Sequence, residues 1–311
     1  MKIVVTGAVS MVGLATIQAA LDDDAEKIFA VIRRGSSNNS RLPKDRRIIP
    51  VQCSMDEYDS LADMIGQKCD CFFHFAWEPS MKPHSQRYFD VEVGYRNQGY
   101  ALMALEAAAK LGCHNFVGAG SQAEYGNLRG ETQKPEDLTD PVTSYGIAKD
   151  QTRRMLMLKS GENGVNVQWV RIFSLYGIHD RKNTLISTLI EKMGRNEEIE
   201  LTDGTQMWDY LYEEDAGKAL YAVGCDSRES GIFCLGSGDA KPLREYIFEM
   251  KQIIGSDSVL KFGAVQYGKD AVMNVHADIS KIERMTRWNG PVVGFEEGIR
   301  RILEHNAQGQ P

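Results

Sequence analysis

Short apolar runs alternate with longer stretches of helical spacing along the first half of the chain. The apolar runs predict strands at residues 2–6, 27–32, 48–52, 71–75, 115–119 and 165–173. Stretches whose apolar residues recur every three to four positions predict helices at residues 11–21, 59–65, 95–111 and 145–159. Strands that alternate with helices in this way favour a parallel sheet with helices on both faces. The predicted fold class is therefore α/β, with a doubly wound parallel sheet.

The pattern loosens beyond residue 175. Loops that carry Gly, Asp, Asn and Pro separate further predicted helices at residues 185–193, 214–223 and 243–254. These features indicate a smaller C-terminal region that is built on the first. We therefore expect a nucleotide-binding domain over residues 1–175 and a substrate-binding lobe over 176–311, interleaved so that the boundary is approximate.

The composition is that of a soluble globular protein, because 42% of the 311 residues are apolar and 25% are charged. No apolar stretch approaches the roughly 18 residues of a membrane span, and the N-terminus enters a strand at once, so neither a membrane helix nor a signal peptide is expected. A net charge of −7 argues against a nucleic-acid or anionic-membrane surface. The six cysteines match no zinc spacing and are too few for a disulfide scaffold. We therefore expect no metal site and a reducing, cytoplasmic compartment.

A segment with two glycines follows the first predicted strand and opens the first predicted helix. It reads Gly-Ala-Val-Ser-Met-Val-Gly over residues 7–13, with serine where a middle glycine is usual. Glycine allows the tight turn, and a helix N-terminus offers unpaired N–H groups and a positive dipole end to a pyrophosphate. A strand–helix turn without a ligand is the alternative. The predicted cofactor-binding residues here are Gly7, Ser10, Met11, Val12 and Gly13.

Two arginines follow the second predicted strand. Arg33 and Arg34 stand where an NAD-binding chain usually carries an acid for the ribose hydroxyls, about 20 residues past the last glycine of the loop. A guanidinium suits the 2′-phosphate of NADP in charge and in geometry. The sequence therefore favours NADP(H) over NAD(H), with Ser36 and Arg41 as helpers. The alternative is that both arginines are surface charges.

Tyr145 and Lys149 form a Tyr-x-x-x-Lys pair within a predicted helix. Residues four apart share a helix face, so the phenol and the ammonium are expected in one site. A neighbouring cation favours the phenolate and lowers the pKa of a tyrosine, which fits it for acid–base work. Ser121 follows a predicted strand, 24 residues before Tyr145, and can bond the same substrate oxygen.

Together with the phosphate loop, this constellation resembles the extended short-chain dehydrogenase/reductase family, in its NAD-dependent epimerase/dehydratase branch. The resemblance covers nearly the whole chain and includes the segments at residues 73–76, 170–177, 203–210 and 235–238. The family implies a Rossmann domain, a C-terminal substrate lobe and a nucleotide-diphosphate sugar as the substrate. It also implies a catalytic set of Ser121, Tyr145 and Lys149, and it implies that Phe75, Ala76, Trp77, Asn97 and Ile172 join Tyr145 and Lys149 in binding the cofactor.

Departures from the family pattern narrow the chemistry. Family dehydratases carry an Asp-Glu pair directly after the catalytic serine or threonine, where this chain has Gln122 and Ala123, so we expect no elimination of water. Glu124 follows, either as a sugar ligand or as a structural residue. His179 resembles a family histidine that acts on sugar carbons, with a plain pocket or surface role as its alternative, and Trp208 either stacks on a base or sugar or fills a lobe interface. The predicted substrate residues are Gln122, Ala123, Glu124, Ser174, His179, Trp208 and Tyr210.

The sequence favours an NADPH-dependent reductase of a nucleotide-linked 4-keto-6-deoxy sugar, in which Tyr145 protonates the sugar oxygen. A 4-epimerase that holds NAD tightly and a carbonyl reductase of a non-sugar substrate are alternatives. A non-catalytic NADP-binding sensor or scaffold is the alternative from a different class. The predicted helices at 95–111 and 145–159 suggest a homodimer interface, with ordinary core burial as the alternative for the first, which is apolar nearly all round.

Overall fold

A computed structural model of the chain describes residues 1–81, 90–127, 132–268 and 271–308. Its strands are β1 (Lys2–Thr6), β2 (Lys27–Ile32), β3 (Ile48–Gln52), β4 (Cys71–His74), β5 (Asn115–Ser121), β6 (Asn166–Ile172), β7 (Ser174–Tyr176), β8 (Ile199–Glu200), β9 (Met207–Trp208), β10 (Tyr210–Tyr212), β11 (Gly231–Leu235), β12 (Lys241–Pro242) and β13 (Leu260–Lys261). Its α-helices are α1 (Met11–Asp22), α2 (Leu61–Ile65), α3 (Val91–Lys110), α4 (Ser144–Asn163), α5 (Leu185–Gly194), α6 (Glu213–Asp226), α7 (Leu243–Ile254), α8 (Ser280–Met285) and α9 (Phe295–Ala307). Short 3-10 helices lie at Ser37–Arg41, Met55–Ser60 and Gln122–Tyr125.

Seven strands form one sheet in the order β3, β2, β1, β4, β5, β6 and β11, and every pair is parallel. The chain runs outward from β1 to β3 and then crosses back to β4, so the strand order reverses between β1 and β4. The pairing sets Thr6 beside His74 at this reversal. Ligands of doubly wound sheets bind outside the carboxyl ends of the strands at such a point. The predicted doubly wound parallel sheet is therefore confirmed, and it directs attention to the loops that follow these two residues.

Helices cover both faces of the sheet. Ile3 and Val5 of β1 face one core, where they meet Ile17 of α1 and Leu220 of α6. Val4 faces the opposite core, which α3 and α4 complete. Because successive side chains of a strand point to opposite faces, a strand buried on both sides must be apolar throughout. This requirement explains why the central strands are continuous apolar runs in the sequence.

The last strand of the sheet comes from the second half of the chain. After β7 the chain forms α5, β8 and β9, and it then returns through β10 and α6 to β11, which pairs with β6. Residues beyond 175 therefore contribute to the sheet as well as to the lobe. The lobe has a core of its own, made by buried side chains of α5, α7 and α9.

The main differences from the predicted elements lie at the helix ends. Helix α3 begins at Val91, four residues before the predicted start, and α4 continues to Asn163, where Gly164 in a left-handed conformation ends it. Thr143 caps α4, because its hydroxyl accepts the N–H of Gly146 at 3.0 Å. The predicted helix at 59–65 is a 3-10 helix followed by the single turn of α2. Over the described ranges, the helices are too short or too polar to span a bilayer.

Candidate active site

Close backbone packing shapes the loop between β1 and α1. Gly7 has a φ of +65°, and a Cβ atom there would lie 2.8 Å from the backbone nitrogen of Ala76. A Cβ atom on Gly13 would lie 2.3 Å from the carbonyl oxygen of Gly7. Glycine avoids both collisions, so α1 begins directly against the strand ends. A pyrophosphate needs such a close approach to the backbone.

The first turn of α1 opens into a cleft. Ser10 caps the helix, because its hydroxyl accepts the N–H of Gly13 at 3.1 Å. The first turn carries no acidic side chain, so no carboxylate competes for the positive end of the helix dipole. Ser10, Met11 and Val12 line the cleft at this end. The residues of the loop therefore fit a dinucleotide pyrophosphate.

The cleft is a cavity of about 730 Å³ at the reversal point of the sheet. Its walls come from the ends of β1, β4, β5 and β6, from α4, and from the segment that leads into α5. The predicted site residues that line it are Ser10, Met11, Val12, Phe75, Trp77, Ser121, Tyr145, Lys149, Ile172 and His179.

Lys149 is buried at one side of the cleft. Its Nζ donates to the carbonyl oxygen of Ala119 at 2.7 Å and stands 3.5 Å from the centroid of the Trp77 ring. Burial disfavours the charged form and lowers the pKa of Lys149 to about 7, while the charge of Glu124 acts in the opposite direction. The Trp77 ring also lies edge-on to the ring of Tyr145, with 6.0 Å between the centroids. The indole thus packs against both functional groups of the Tyr-x-x-x-Lys pair.

Tyr145 approaches Ser121 where α4 meets the end of β5. The hydroxyl of Ser121 accepts the N–H of Ala123 at 3.2 Å, which fixes the serine at the start of the 3-10 turn. Desolvation raises the pKa of the Tyr145 phenol, while the Ser121 hydroxyl and the charge of Arg181 act to lower it. A phenol, a hydroxyl and an ammonium therefore meet in one cleft, where they can bond and protonate a single substrate oxygen.

The loop, the sheet reversal and the trio of Ser121, Tyr145 and Lys149 can be compared with a known family. Residues 3–236 match the model of the NAD dependent epimerase/dehydratase family. The chain belongs to this family. The family predicted from the motifs is therefore confirmed, and the match runs from β1 to one residue past β11.

Some similar proteins match this chain over almost its whole length, and one matches less than half of it. The uncharacterized UDP-glucose epimerase YtcB of Bacillus subtilis is 22% identical, and the match covers 98% of both chains. CDP-abequose synthase of Salmonella muenchen is 28% identical over 43% of this chain and 46% of its own. A UDP-glucose 4-epimerase of Thermotoga maritima, solved with UDP-glucose, superposes with a TM-score of 0.85 at 22% identity and 99% coverage of both chains. A UDP-glucuronic acid 4-epimerase of Bacillus cereus, solved with UDP-glucuronic acid and NAD, gives 0.85 at 20% identity and full coverage of both chains.

The structure corrects the expectation that Glu124 contacts the sugar. Glu124 is 0% exposed, and both of its carboxylate oxygens are used inside the protein. Oε1 accepts the backbone N–H of Ser121 and the indole N–H of Trp169, while Oε2 pairs with the Arg171 guanidinium at 2.9 Å. The structural alternative is therefore the correct one for this residue.

Gln122 and Ala123 form the 3-10 turn behind Ser121 and do not line the cleft. The side-chain oxygen of Gln122 is buried and has no hydrogen-bond partner among the described residues. A buried acceptor without a partner costs free energy, so a donor from a ligand would be favourable there. A contact between Gln122 and the substrate stays a prediction.

Asn97 and Ala76, for which a contact with the cofactor stays a prediction, are engaged with backbone groups near the cleft. Asn97 is buried, and its amide bonds both the N–H and the carbonyl of Glu78, at 2.7 and 2.9 Å. This pairing holds the segment after β4 against α3. Ala76 packs beneath Gly7, and its N–H donates to the hydroxyl of Thr6 at 3.4 Å. Neither residue lines the cleft, because each is engaged in positioning its walls.

The residues predicted to bind substrate from the lobe separate into two groups. His179 lines the cleft, and its Nδ1 lies 3.0 Å from the carboxylate of Glu213. Ser174 and Tyr210 are paired across β7 and β10, and Trp208 packs near Tyr210 with 6.5 Å between the ring centroids. None of these three lines the cleft, so the structure favours the packing alternative for Trp208.

The two arginines that directly follow β2 do not line the cleft. Arg33 and Arg34 are exposed, and Arg34 forms an ion pair with Glu57 at 3.1 Å. Asn38 and Arg41 of the following 3-10 helix do line the cleft. Of the three arginines that the sequence suggested for the cofactor, Arg41, named only as a helper, is therefore the one that lines the cleft.

Sequence reasoning missed a polar wall of the cleft. Asp180, Arg181 and Thr184 follow His179 and line the cavity from the lobe side, and the Thr184 hydroxyl donates to Asp180 at 2.8 Å. The run of polar residues between β7 and α5 was the available signal, because side chains that follow a strand end commonly form ligand sites in these folds. Glu78 lines the opposite wall, and no motif marked it.

Proposed function

We propose that this family member reduces the keto group of a nucleotide-linked 4-keto-6-deoxy sugar with NADPH. The observation that carries the proposal is the convergence of Ser121, Tyr145 and Lys149 in the same cleft as the first turn of α1. Relatives named as UDP-glucose epimerase and CDP-abequose synthase support a nucleotide sugar as the substrate. Arg33, Arg34 and Arg41, together with the absence of any acidic residue from 27 to 44, support NADPH.

Ser121, Tyr145 and Lys149 have different roles in the reduction of the substrate carbonyl. A bound nicotinamide supplies the hydride. Tyr145 gives its hydroxyl proton to the oxygen as the carbonyl becomes an alcohol, and Ser121 donates a hydrogen bond to the same oxygen. The Lys149 ammonium stabilises the phenolate that remains, and Trp77 keeps water from the ammonium by packing over it. Burial of Lys149 strengthens the interactions of its ammonium, because charges attract more strongly where water is excluded.

The substrate range gives the direct test of this function. With NADPH, a nucleotide-linked 4-keto-6-deoxy sugar should be consumed, while a nucleotide-linked glucose should keep its mass. Elimination of water needs an acid and a base after Ser121, and Gln122 and Ala123 provide neither. Mass spectrometry of each incubation and the absorbance of NADPH at 340 nm measure both results. Loss of water from the glucose compound would contradict the assignment of the turn after Ser121, and an unconsumed keto sugar would contradict the reductase.

Arg33 and Arg34 should select NADPH over NADH. The double variant Arg33→Ala with Arg34→Ala is expected to weaken NADPH binding roughly tenfold to hundredfold and NADH binding much less, because only NADPH carries the 2′-phosphate. Fluorescence titration of both cofactors measures the two Kd values. Arg46→Ala is the control, since it removes an exposed arginine outside the cleft. An equal loss for NADPH and NADH would show that the pair does not bind the 2′-phosphate.

A 4-epimerase is the second candidate, and the solved structures favour it. The neighbours from Thermotoga maritima and Bacillus cereus are named as 4-epimerases, and the second was solved with NAD. An epimerase oxidises and re-reduces one carbon, so it has no need to release its cofactor. The purified protein, denatured and analysed by mass spectrometry, distinguishes the two candidates. One equivalent of retained NAD supports the epimerase, and release of bound NADPH by dialysis supports the reductase.

A homodimer through α3 and α4 is part of the same proposal. The two helices pack together, yet each leaves large apolar side chains exposed at helical spacing, namely Val91 and Tyr95 on α3 and Met155 and Leu158 on α4. Tyr95 is 79% exposed and Leu158 is 72% exposed. Such a stripe is typical of an interface. Met155→Glu with Leu158→Glu should therefore halve the mass in light scattering, while Met64→Glu, at an exposed methionine of α2, should not. A monomeric unsubstituted protein would contradict the dimer.

A further inference from the structure

A buried carboxylate lies directly behind the catalytic serine. Oε1 of Glu124 accepts the N–H of Ser121 at 2.8 Å and the indole N–H of Trp169 at 2.9 Å. Oε2 accepts Nε of Arg171 at 2.9 Å, and Arg171 is itself 1% exposed. Burying a charged pair is costly, so a carboxylate at this place calls for an explanation beyond stability.

We propose that Glu124 is a positioning residue of the active site, which fixes the backbone of Ser121 and supplies the negative charge that keeps Lys149 an ammonium. The inference rests on the proposed hydride-transfer function of the cleft. Glu124 does not line the cleft, so it acts only through the residues that do.

The first effect concerns the geometry of Ser121. Glu124 and Ser121 form a reciprocal pair, in which the carboxylate accepts the serine N–H while the serine side chain accepts backbone N–H of the same turn. The Ser121 hydroxyl also accepts the N–H of Ala123 at 3.2 Å. Backbone and hydroxyl are thus held by one 3-10 turn. Loss of the carboxylate frees the N–H at the strand end, so the hydroxyl is no longer held toward Tyr145.

The second effect concerns the charge on Lys149. Among the residues that the structure describes, the groups that touch Nζ are neutral, namely the carbonyl of Ala119 and the ring of Trp77. The rings of Tyr145 and Trp169 lie further out, at 5.7 and 6.0 Å. Trp169 connects the two charges, because its N–H donates to Glu124 while its ring faces the ammonium. The charge of Glu124 favours the ammonium, against the burial that disfavours it.

Several other charged or titratable groups lie near Glu124 and Lys149. Asp150, next to Lys149 in the chain, is engaged by Arg153 and Arg154 at 2.6 and 2.7 Å. Arg153 and Arg171 both face Glu124, at 3.9 and 2.9 Å from its Oε2. His74 is buried on another side of Lys149, and burial lowers the pKa of its imidazole to about 3, so it is neutral. Arg181 acts on Tyr145 from the lobe.

The test removes both charges of the buried pair together. Glu124→Gln alone would leave Arg171 buried without a counter-charge and would threaten folding. The double variant Glu124→Gln with Arg171→Met has no buried charge at this place. Arg171→Met alone keeps the Glu124 carboxylate, which still accepts the N–H groups of Ser121 and Trp169 and still has Arg153 as a cation at 3.9 Å. Thermal unfolding establishes that each variant is folded.

The titration of Lys149 is followed by NMR of protein labelled with 13Cε-lysine, with the Lys149 signal assigned from Lys149→Met. The midpoint is expected to fall by about one pH unit in the double variant, because of the two charges removed Glu124 is the one that acts on Lys149. It is expected to rise in Arg171→Met, because that change leaves the carboxylate in place and removes a positive charge beside it. This measurement needs no substrate, so it tests the charge on its own. An unchanged midpoint in the folded double variant overturns the proposal even if the enzyme is a reductase. Conversely, if the protein converts no nucleotide sugar, the proposed function is wrong, and the titration still tests the role of Glu124.

Kinetics separate positioning from a purely structural role. In the double variant kcat should fall by roughly 10- to 100-fold with a smaller change in KM. The pH profile should move to lower pH, because both Lys149 and Tyr145 lose their protons more readily without the carboxylate. Glu124→Asp, which keeps the charge and shortens the reach to Ser121, should lower kcat without moving the profile. If the double variant is unfolded, Glu124→Asp provides the test. A turnover of Glu124→Asp equal to that of the unsubstituted protein overturns the proposal. A lower kcat with an unmoved profile in the double variant also overturns it.

Discussion

Replacing Tyr145 by Phe is expected to lower the turnover of the nucleotide sugar by about 100-fold or more. The change removes only the phenolic oxygen, and a general acid typically contributes about 10²- to 10⁴-fold. The ring remains edge-on to Trp77, so Lys149 keeps its place between that indole and the carbonyl of Ala119. Binding of the dinucleotide should therefore persist. Steady-state kcat and a fluorescence titration of the cofactor measure the two quantities separately.

Tyr95→Phe provides the matched control, since it removes the same oxygen from an exposed tyrosine of α3 outside the cleft. Its turnover should equal that of the unsubstituted protein. Turnover near that level in Tyr145→Phe would remove this residue from the chemistry. Weakened cofactor binding in place of lowered turnover would give it a binding role only.

Replacing Asp209 by Ala is expected to lower the free energy of unfolding by about 3 kcal/mol or more. Asp209 is 0% exposed and accepts three backbone N–H groups, from Ser237 at 2.5 Å, Ala277 at 3.0 Å and Gly238 at 3.2 Å. Each buried donor that loses its partner costs about 1–3 kcal/mol. Urea unfolding followed by circular dichroism measures the change. Because Asp209 accepts two N–H groups of the loop after β11, the loss should be concentrated there.

Asp239→Ala serves as the control, because Asp239 is exposed and belongs to the same loop. Its unfolding midpoint should lie close to that of the unsubstituted protein. Asp209→Asn keeps the shape but replaces an acceptor by a donor, so it should be destabilised as well. If Asp209→Ala unfolds at the same urea concentration as the unsubstituted protein, water replaces the carboxylate as the acceptor. The prediction that the Asp209 carboxylate stabilises the fold would then be wrong.

The features that the sequence predicts well are those with a local cause. The central strands appear as apolar runs because they are buried on both faces, and α1 follows Gly7 because close packing against Ala76 excludes a side chain. Tyr145 and Lys149 share a face because four residues make one turn of a helix. In each case neighbouring residues carry the whole signal, and the structure agrees with the prediction.

The features that the sequence does not reveal depend on distant partners. Glu124 looks like a ligand because a glutamate beside a catalytic serine is normally solvated, and its burial depends on Arg171, 47 residues away. Arg34 looks free for a phosphate until the fold brings Glu57 to it. Trp77 looks like one more residue of the cleft wall until α4 sets Lys149 under its ring. The role of a charged or aromatic side chain depends on the residues that it contacts in the folded protein. When those residues are distant in the sequence, the spacing of residues does not predict the contact.

Strand β11 is the last strand of the sheet to be synthesised, and this order affects folding on the ribosome. During synthesis the first six strands of the sheet can pair while the ribosome is still extending the chain, but the outer edge of β6 stays open until residue 235 has emerged. An open edge of paired strands is a template for association with other chains. Covering it requires a pairing between segments about 60 residues apart, which slows folding. A nascent chain released near residue 200 would therefore carry an intact phosphate loop and the whole trio, yet it would be prone to aggregate.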